Sequence, residues 1–115
     1  MASVAYTTVV DDVELKIVKW VLGGAYDTGL PFTGSKYPDK SVQMYGTWNA
    51  SHVMLEGTNE NGTPAHFLAL NDHSLNPIEL AADDVVQVLE NCHQYRPRVV
   101  SGTATEVTVI LCAKG

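Results

Sequence analysis

Along much of this chain, apolar and other residues alternate at every second position, the period of a half-buried β-strand. The clearest run is 105–113, where Val107, Val109 and Leu111 alternate with Glu106, Thr108, Ile110 and Cys112. It predicts a central strand. Residues 41–48 repeat the pattern, with Val42, Met44 and Gly46 on one face, Gln43, Tyr45 and Thr47 on the other, and Trp48 at the end. Asn49, Ala50 and Ser51 then read as a tight turn. Residues 52–56 read as the return strand of a hairpin, Val53 and Leu55 facing one way and His52, Met54 and Glu56 the other.

The remaining runs are shorter. Residues 2–10, rich in Val, Thr and Tyr, predict a first strand or an N-terminal arm, and Asp11-Asp12 ends it. Residues 13–22 predict a strand, with a short helix as the alternative; Lys16 and Lys19 leave one face partly exposed, and Trp20 is a core or interface anchor. Residues 57–64 form a polar turn on Asn59, Asn61 and Gly62, and 65–70 are strand-like. Residues 77–80 predict a short strand, and 81–89 one helical turn followed by a strand. Residues 95–100 predict another strand, which Pro97 assigns to an edge or to an irregular ladder. Residues 101–104 turn the chain into the last strand.

About seven to nine short strands, with turn signals every 8–12 residues, predict an all-β sandwich or barrel. The 115 residues are one domain by length. We divide the chain into residues 1–12, the N-terminal strand or arm, and 13–115, the β-sandwich domain. Within the second part, 23–39 stand out as a long loop containing Gly23, Gly24, Gly29, Pro31, Gly34 and Pro38. Loops of that length are usually functional. Its aromatic residues Tyr26, Phe32 and Tyr37 are the kind that anchor protein interfaces.

Charge narrows the functional classes. The formal net charge is -6, and charged residues make up 17% of the chain, against about a quarter in a typical domain. The seven basic residues are scattered, the densest pair being Arg96 and Arg98, so there is no positive stripe for nucleic acid. The first residues lack a signal-peptide pattern, and no apolar run reaches membrane-spanning length. Two cysteines, Cys92 and Cys112, make no disulfide scaffold and fit folding in a reducing cytoplasm.

The pattern for catalysis or a cofactor is weak. His52, His66, His73 and His93 with Cys92 and Cys112 lack the paired spacing of a zinc site. Adjacent Cys92 and His93 point to opposite faces in a strand, and adjacency alone does not build a nucleophile–base pair. Asp11-Asp12 and Asp83-Asp84 lie at element boundaries, where aspartates cap and turn the chain. We therefore assign no catalytic, cofactor or metal residues and expect no enzyme. The interface candidates are Tyr26, Phe32, Tyr37, Trp48, Tyr95, Arg96 and Arg98. Arg96 and Arg98 share a face of an extended strand and suit carboxylates on a partner; the alternative is an internal ion pair, such as Arg98 with Glu106. Tyr45, Trp20 and Trp48 would be the stacking residues if the domain were a carbohydrate-binding module.

Three stretches carry a family resemblance. They are Asp27-Thr28-Gly29-Leu30-Pro31 with Asp39-Lys40-Ser41-Val42-Gln43; Gly46-Thr47-Trp48 through Val53-Met54-Leu55-Glu56-Gly57-Thr58-Asn59; and Val88-Leu89-Glu90-Asn91 through Tyr95-Arg96-Pro97-Arg98-Val99-Val100-Ser101-Gly102, with the strand at 108–113. Over roughly residues 13–113 the chain resembles small structural proteins of tailed-bacteriophage virions, most of all capsid cement or head-decoration proteins. The resemblance implies a jelly-roll-like β-sandwich on the outer surface of the capsid. It also implies the major capsid protein as partner, attachment as a dimer or trimer, and no nucleic-acid or membrane partner. A tail or neck component of the same virion is the alternative. The chain ends in Lys114-Gly115 instead of the group's paired arginines.

Overall fold

In the computed structural model, residues 2–62, 65–102 and 106–115 are described. The predicted turns at 57–64 and 101–104 and the first residue of the predicted strand 105–113 fall partly outside them. The described residues form twelve strands and no helix: β1 (Ser3–Val4), β2 (Thr7–Asp11), β3 (Leu15–Leu22), β4 (Thr28–Gly29), β5 (Phe32–Thr33), β6 (Asp39–Thr47), β7 (His52–Thr58), β8 (Leu68–Ala69), β9 (Glu79–Leu80), β10 (Asp84–Val88), β11 (Gln94–Ser101) and β12 (Glu106–Lys114). They make two sheets over one core. The first follows the order β10-β6-β12-β3-β2, and the second β1-β4-β11-β7-β8, with β5 also on β11 and β9 on β7. This is a single-domain, jelly-roll-like β-sandwich.

Alternation builds the core as the sequence predicts. Val107, Val109, Leu111 and Ala113 of β12 point inward and are fully buried. In register, Val109 lies between Trp20 of β3 and Met44 of β6, and Leu111 between Val18 and Val42. The other sheet answers with Val53 and Leu55 of β7 and with Tyr95 and Val99 of β11. Trp20 sits at the centre of the join, fully buried, its indole N–H donated to Leu30 O at 3.0 Å.

Three expectations change. First, β6 and β7 are not a hairpin. Both edges of β6 are occupied by β10 and β12, so the chain turns at 48–51 and enters the opposite sheet. The turn uses two positive φ angles, 46° at Asn49 and 60° at Ala50. Second, of the two readings of the Pro97 strand, the edge fails and the irregular ladder holds: β11 is central, with a broken ladder on one side. Pro97 pairs with Leu55 on the β7 side; on the other, Tyr95 meets β5 and Arg98 meets β4, and Pro97 falls in the gap between them. A missing N–H there costs no ladder bond. Third, the stretch read as the long loop 23–39 carries β4 and β5. Its anchor is the buried carboxylate of Asp27, which accepts from the N–H groups of Gly23, Gly24 and Ala2 at 3.1, 2.8 and 3.1 Å. No helical turn forms at 81–84; bends lead into β10.

The N-terminal segment passes from one sheet to the other, β1 alongside β4 and β2 alongside β3. Between them, Tyr6 packs edge-on against Trp20 and Phe32, with centroids 5.7 and 5.8 Å away.

Gly29 is held small by this packing. A Cβ there would fall 2.6 Å from Pro97 Cδ and 2.7 Å from the Trp20 ring. Gly29→Ala should therefore destabilise the domain by about 1–3 kcal/mol, the usual range for overpacking. Urea unfolding measures it, and an unchanged midpoint would contradict the close approach.

Candidate functional site

Outward-facing residues of β7 and β11 meet on the exterior of the second sheet. Register sets Glu56 opposite Arg96, with Arg98 two residues on. Arg96 Nε donates to Glu56 Oε1 at 3.1 Å and Arg98 Nε to Oε2 at 3.0 Å, while Arg98 Nη2 lies in ion-pair contact with Oε2 at 2.9 Å. Two guanidinium groups cover one carboxylate, which is why Glu56 is 4% exposed on an outer face. The sequence offered an internal ion pair, such as Arg98 with Glu106, as the alternative to a partner's carboxylate; the register supplies an internal pair with Glu56 for both arginines. The Arg96 guanidinium also lies 3.9 Å from the ring centroid of Phe67, a stacked cation–π contact. Beside this stack opens a cleft of about 530 Å³ with Pro31, Asn61, Phe67, Gln94 and Arg96 in its walls.

A second charged group is internal. Extending the β6 alternation back from Val42 points Lys40 inward, and it is 2% exposed. Its ammonium donates to Tyr37 O and to Asn91 Oδ1, the latter at 2.5 Å, and sits 4.8 Å over the Tyr95 ring. Burial lowers its pKa to about 8, with Cys92 and Asp39 pulling the other way. Burial also raises the Tyr95 hydroxyl and, with help from Glu90, the Cys92 thiol. A raised thiol pKa runs against the thiolate that nucleophilic chemistry uses. Tyr95 Oη instead accepts from Cys92 N at 2.5 Å and lies 3.2 Å from Glu90 O, bracing the bend at 90–93.

The remaining candidates divide between core and surface. Phe32, Tyr37 and Tyr95 are 0–1% exposed, so their rings fill the core and are not available on the outside. Tyr26, at a φ of 59°, is 53% exposed. Trp48 is half-buried, with its indole N–H held by Asp83 Oδ1 at 2.7 Å. Trp20 is internal, so Tyr45, Trp20 and Trp48 do not form one exposed stacking platform. The aspartate pairs serve the backbone: Asp84 accepts from Val85 N and Asp12 from Val13 N, while Asp83 also accepts from Gly46 N and so ties the start of β10 to the end of β6. Among the described residues, no three His, Cys, Asp or Glu side chains cluster as a metal site. Reading the sequence missed Glu56, Phe67 and Lys40. The strand parity signalled Lys40; nothing local signals the register that joins Glu56 to two arginines.

The first sheet presents a different exterior. Its pairing lines up three outward rows: Val10, Ile17, Cys112, Ser41 and Gln87; Thr7, Lys19, Ile110, Gln43 and Val85; and Val21, Thr108 and Tyr45. Lys19 is the one charged residue in these rows. Val85, Val21 and Tyr45 are 60, 45 and 41% exposed.

No protein-family model and no curated protein matches the sequence. Solved structures do. The chain is similar to the SPBc2 prophage-derived protein YomS, with a TM-score of 0.61 at 13% identity, over 92% of this chain and 99% of that one. It is similar to a cupin domain from Bordetella pertussis Tohama I (TM-score 0.51, 10% identity, 99% and 96% covered). An RmlC-like cupin of double-stranded β-helix fold from Methanocaldococcus jannaschii gives 0.53 at 9% identity, over 96% and 79%. At such identities the likeness is one of fold.

Two substitutions test the two charged groups. Glu56→Gln leaves two guanidinium groups facing each other without their shared carboxylate; both are partly solvated, so the expected cost is about 1–3 kcal/mol by chemical denaturation. An unaltered stability would mean the arginines are held by other contacts. For Lys40, the folded chain gives up the proton near pH 8 and the unfolded chain near 10.5. Between those values the unfolded state binds more protons, so this residue's contribution to stability rises with pH. The stability of wild type relative to Lys40→Met should accordingly improve from pH 7.5 to 10. A pH-independent difference would show that Lys40 is not desolvated.

Proposed function

We propose that this protein is a structural component of a phage virion, a cement protein that decorates the outside of the capsid and stabilises it through protein–protein contacts. The observation that carries the reading is the exterior of the β10-β6-β12-β3-β2 sheet: five strands wide, and with Lys19 as the sole charge in its three central rows. In a chain with 20 Lys, Arg, Asp and Glu residues, such a face suits burial against another protein. The sequence resemblance to virion proteins supports the phage setting, as does the fold likeness to a prophage-derived protein over nearly its whole length.

In this reading the sandwich is a rigid block. The major capsid protein is its partner, and a dimer or trimer of the block repeats one modest contact around a symmetry axis. Contacts that are weak singly become strong together through effective concentration. A bridged shell then resists internal pressure. The role needs no cofactor and no catalytic residue.

Co-sedimentation with phage heads lacking the protein tests this. The expected result is saturable binding, at a copy number fixed by the capsid lattice. Replacing Val85 and Val21 by Lys, on the exposed face, should weaken binding at least about tenfold without unfolding the domain. Absence of binding to intact heads would overturn the capsid assignment and favour a tail or neck position; binding indifferent to the two lysines would overturn the role of this face.

A further inference from the structure

We infer that the Arg96 cleft is a receptor for a carboxylate, the side chain of an acidic residue presented by a partner protein. This deepens the assembly reading, since it names the chemistry that a partner would bring to the second sheet's exterior.

Glu56 supplies one negative charge to two guanidinium groups, so the cluster holds one net positive charge on a chain whose formal net charge is -6. The two arginines are not equivalent. Arg98 engages Glu56 through both Nε and Nη2. Arg96 engages it through Nε, and its terminal amino groups make no hydrogen bond among the described residues. Those groups belong to the side chain that lines the cleft, whereas Arg98 does not line it.

Geometry then selects the ligand. The Arg96 plane is fixed on one face by the Phe67 ring, 3.9 Å away, and at its inner edge by Glu56. A guanidinium immobilised in this way has its rotamer entropy already spent, and its two terminal amino groups match the two oxygens of a carboxylate. Glu56 cannot serve both arginines and fill that role as well. The neighbouring amides of Gln94 and Asn61 give the cleft neutral hydrogen-bonding groups, and Pro31 and Phe67 give it apolar wall. A carboxylate on a short flexible stem fits these features. A phosphate would meet one guanidinium and, among the described residues of the wall, no second cation. A neutral amide would leave the positive charge unmatched.

A protein partner supplies such a group as an exposed Asp or Glu side chain. The cleft opens outward on the exterior of β11 and β7, opposite the charge-poor face of the other sheet. One domain would then have two distinct contacts, one neutral and one ionic.

The test uses the isolated full-length protein, so its result is separate from head binding. A capped short peptide with central glutamates is titrated against isotope-labelled protein, alongside a twin carrying glutamines. The expected result is a set of shifts at the Arg96 Nε–H and at the side-chain amides of Gln94 and Asn61 with the glutamate peptide, absent with the twin. Arg96→Gln should weaken binding about tenfold or more. Arg98→Gln removes the cluster's net positive charge but leaves the Arg96 fork in place, so it should weaken binding clearly less than Arg96→Gln does. Thermal unfolding of both variants checks that each is folded, and Arg96→Lys, which keeps the charge but loses the fork, should bind less well than wild type. Equal binding of the glutamine twin, or equal losses in the Arg96 and Arg98 variants, would overturn the proposal.

Discussion

Trp20 is the contact on which the two sheets depend. It rises from β3, and its ring reaches across the core to Gly29 of the opposite sheet. The approach is possible because Gly29 has no side chain: a Cβ there would collide with the indole and with Pro97 Cδ. The indole N–H finds Leu30 O, so a large polar-tipped side chain is buried with nothing unsatisfied. Neighbouring features follow from this contact. The strand after Asp27 must run close to β11, which Val99 N secures by donating to Asp27 O at 2.8 Å. The N-terminal segment can then close the side of the sandwich with Tyr6 against Trp20 and Phe32.

Strands with strict alternation were legible in the sequence, and so were the residues they bury. β3, β6, β7 and β12 appear close to where the pattern of Val, Met and Leu puts them, because a period of two has one interpretation once a core face exists. What the pattern does not contain is which strand lies next to which. The turn at Asn49 and Ala50 looks like a hairpin turn locally, yet β6 has no free edge for β7, a fact decided by β10 and β12 much further along the chain. Pro97 signalled an edge or an irregular ladder, and which of the two holds is again decided at a distance. Its missing donor is a local property, whereas the gap between β4 and β5 that absorbs it is a property of the assembled sheet. Of the candidate site, the pair Arg96 and Arg98 was visible as two residues on one face. Their shared partner Glu56 depended on register and was not.

The distribution of charge gives the two exteriors different characters. Charged side chains are nearly absent from the central rows of the β12 sheet, which leaves a surface of Val, Ile, Thr and neutral polar groups. The β11 sheet instead keeps a carboxylate and two arginines on its outer side and covers one of them with Phe67. Inside, Lys40 shows that the core itself tolerates a cation when the backbone carbonyl of Tyr37, the amide of Asn91 and the Tyr95 ring surround it. That group ties β6 to the bend before β11 and so links the two sheets at the end of the molecule away from the turn at 48–51.

Ion pairs of this kind rarely persist for stability alone. Replacing a buried pair by apolar residues of similar size is often neutral or stabilising, because desolvation consumes most of the Coulombic gain. An exterior sheet face has an even simpler alternative, since Thr or Val would satisfy the same positions at no desolvation cost. The Glu56 cluster is therefore better understood through what it fixes than through what it contributes to folding. A carboxylate placed between two arginines restrains each of them, and Arg96, which bonds it through Nε, is the one that lines the cleft. Removing the carboxylate would free Arg96 to wander over the surface, and removing Phe67 would free its other face. The fold holds that guanidinium still by two independent means, a degree of constraint that solvent exposure does not require.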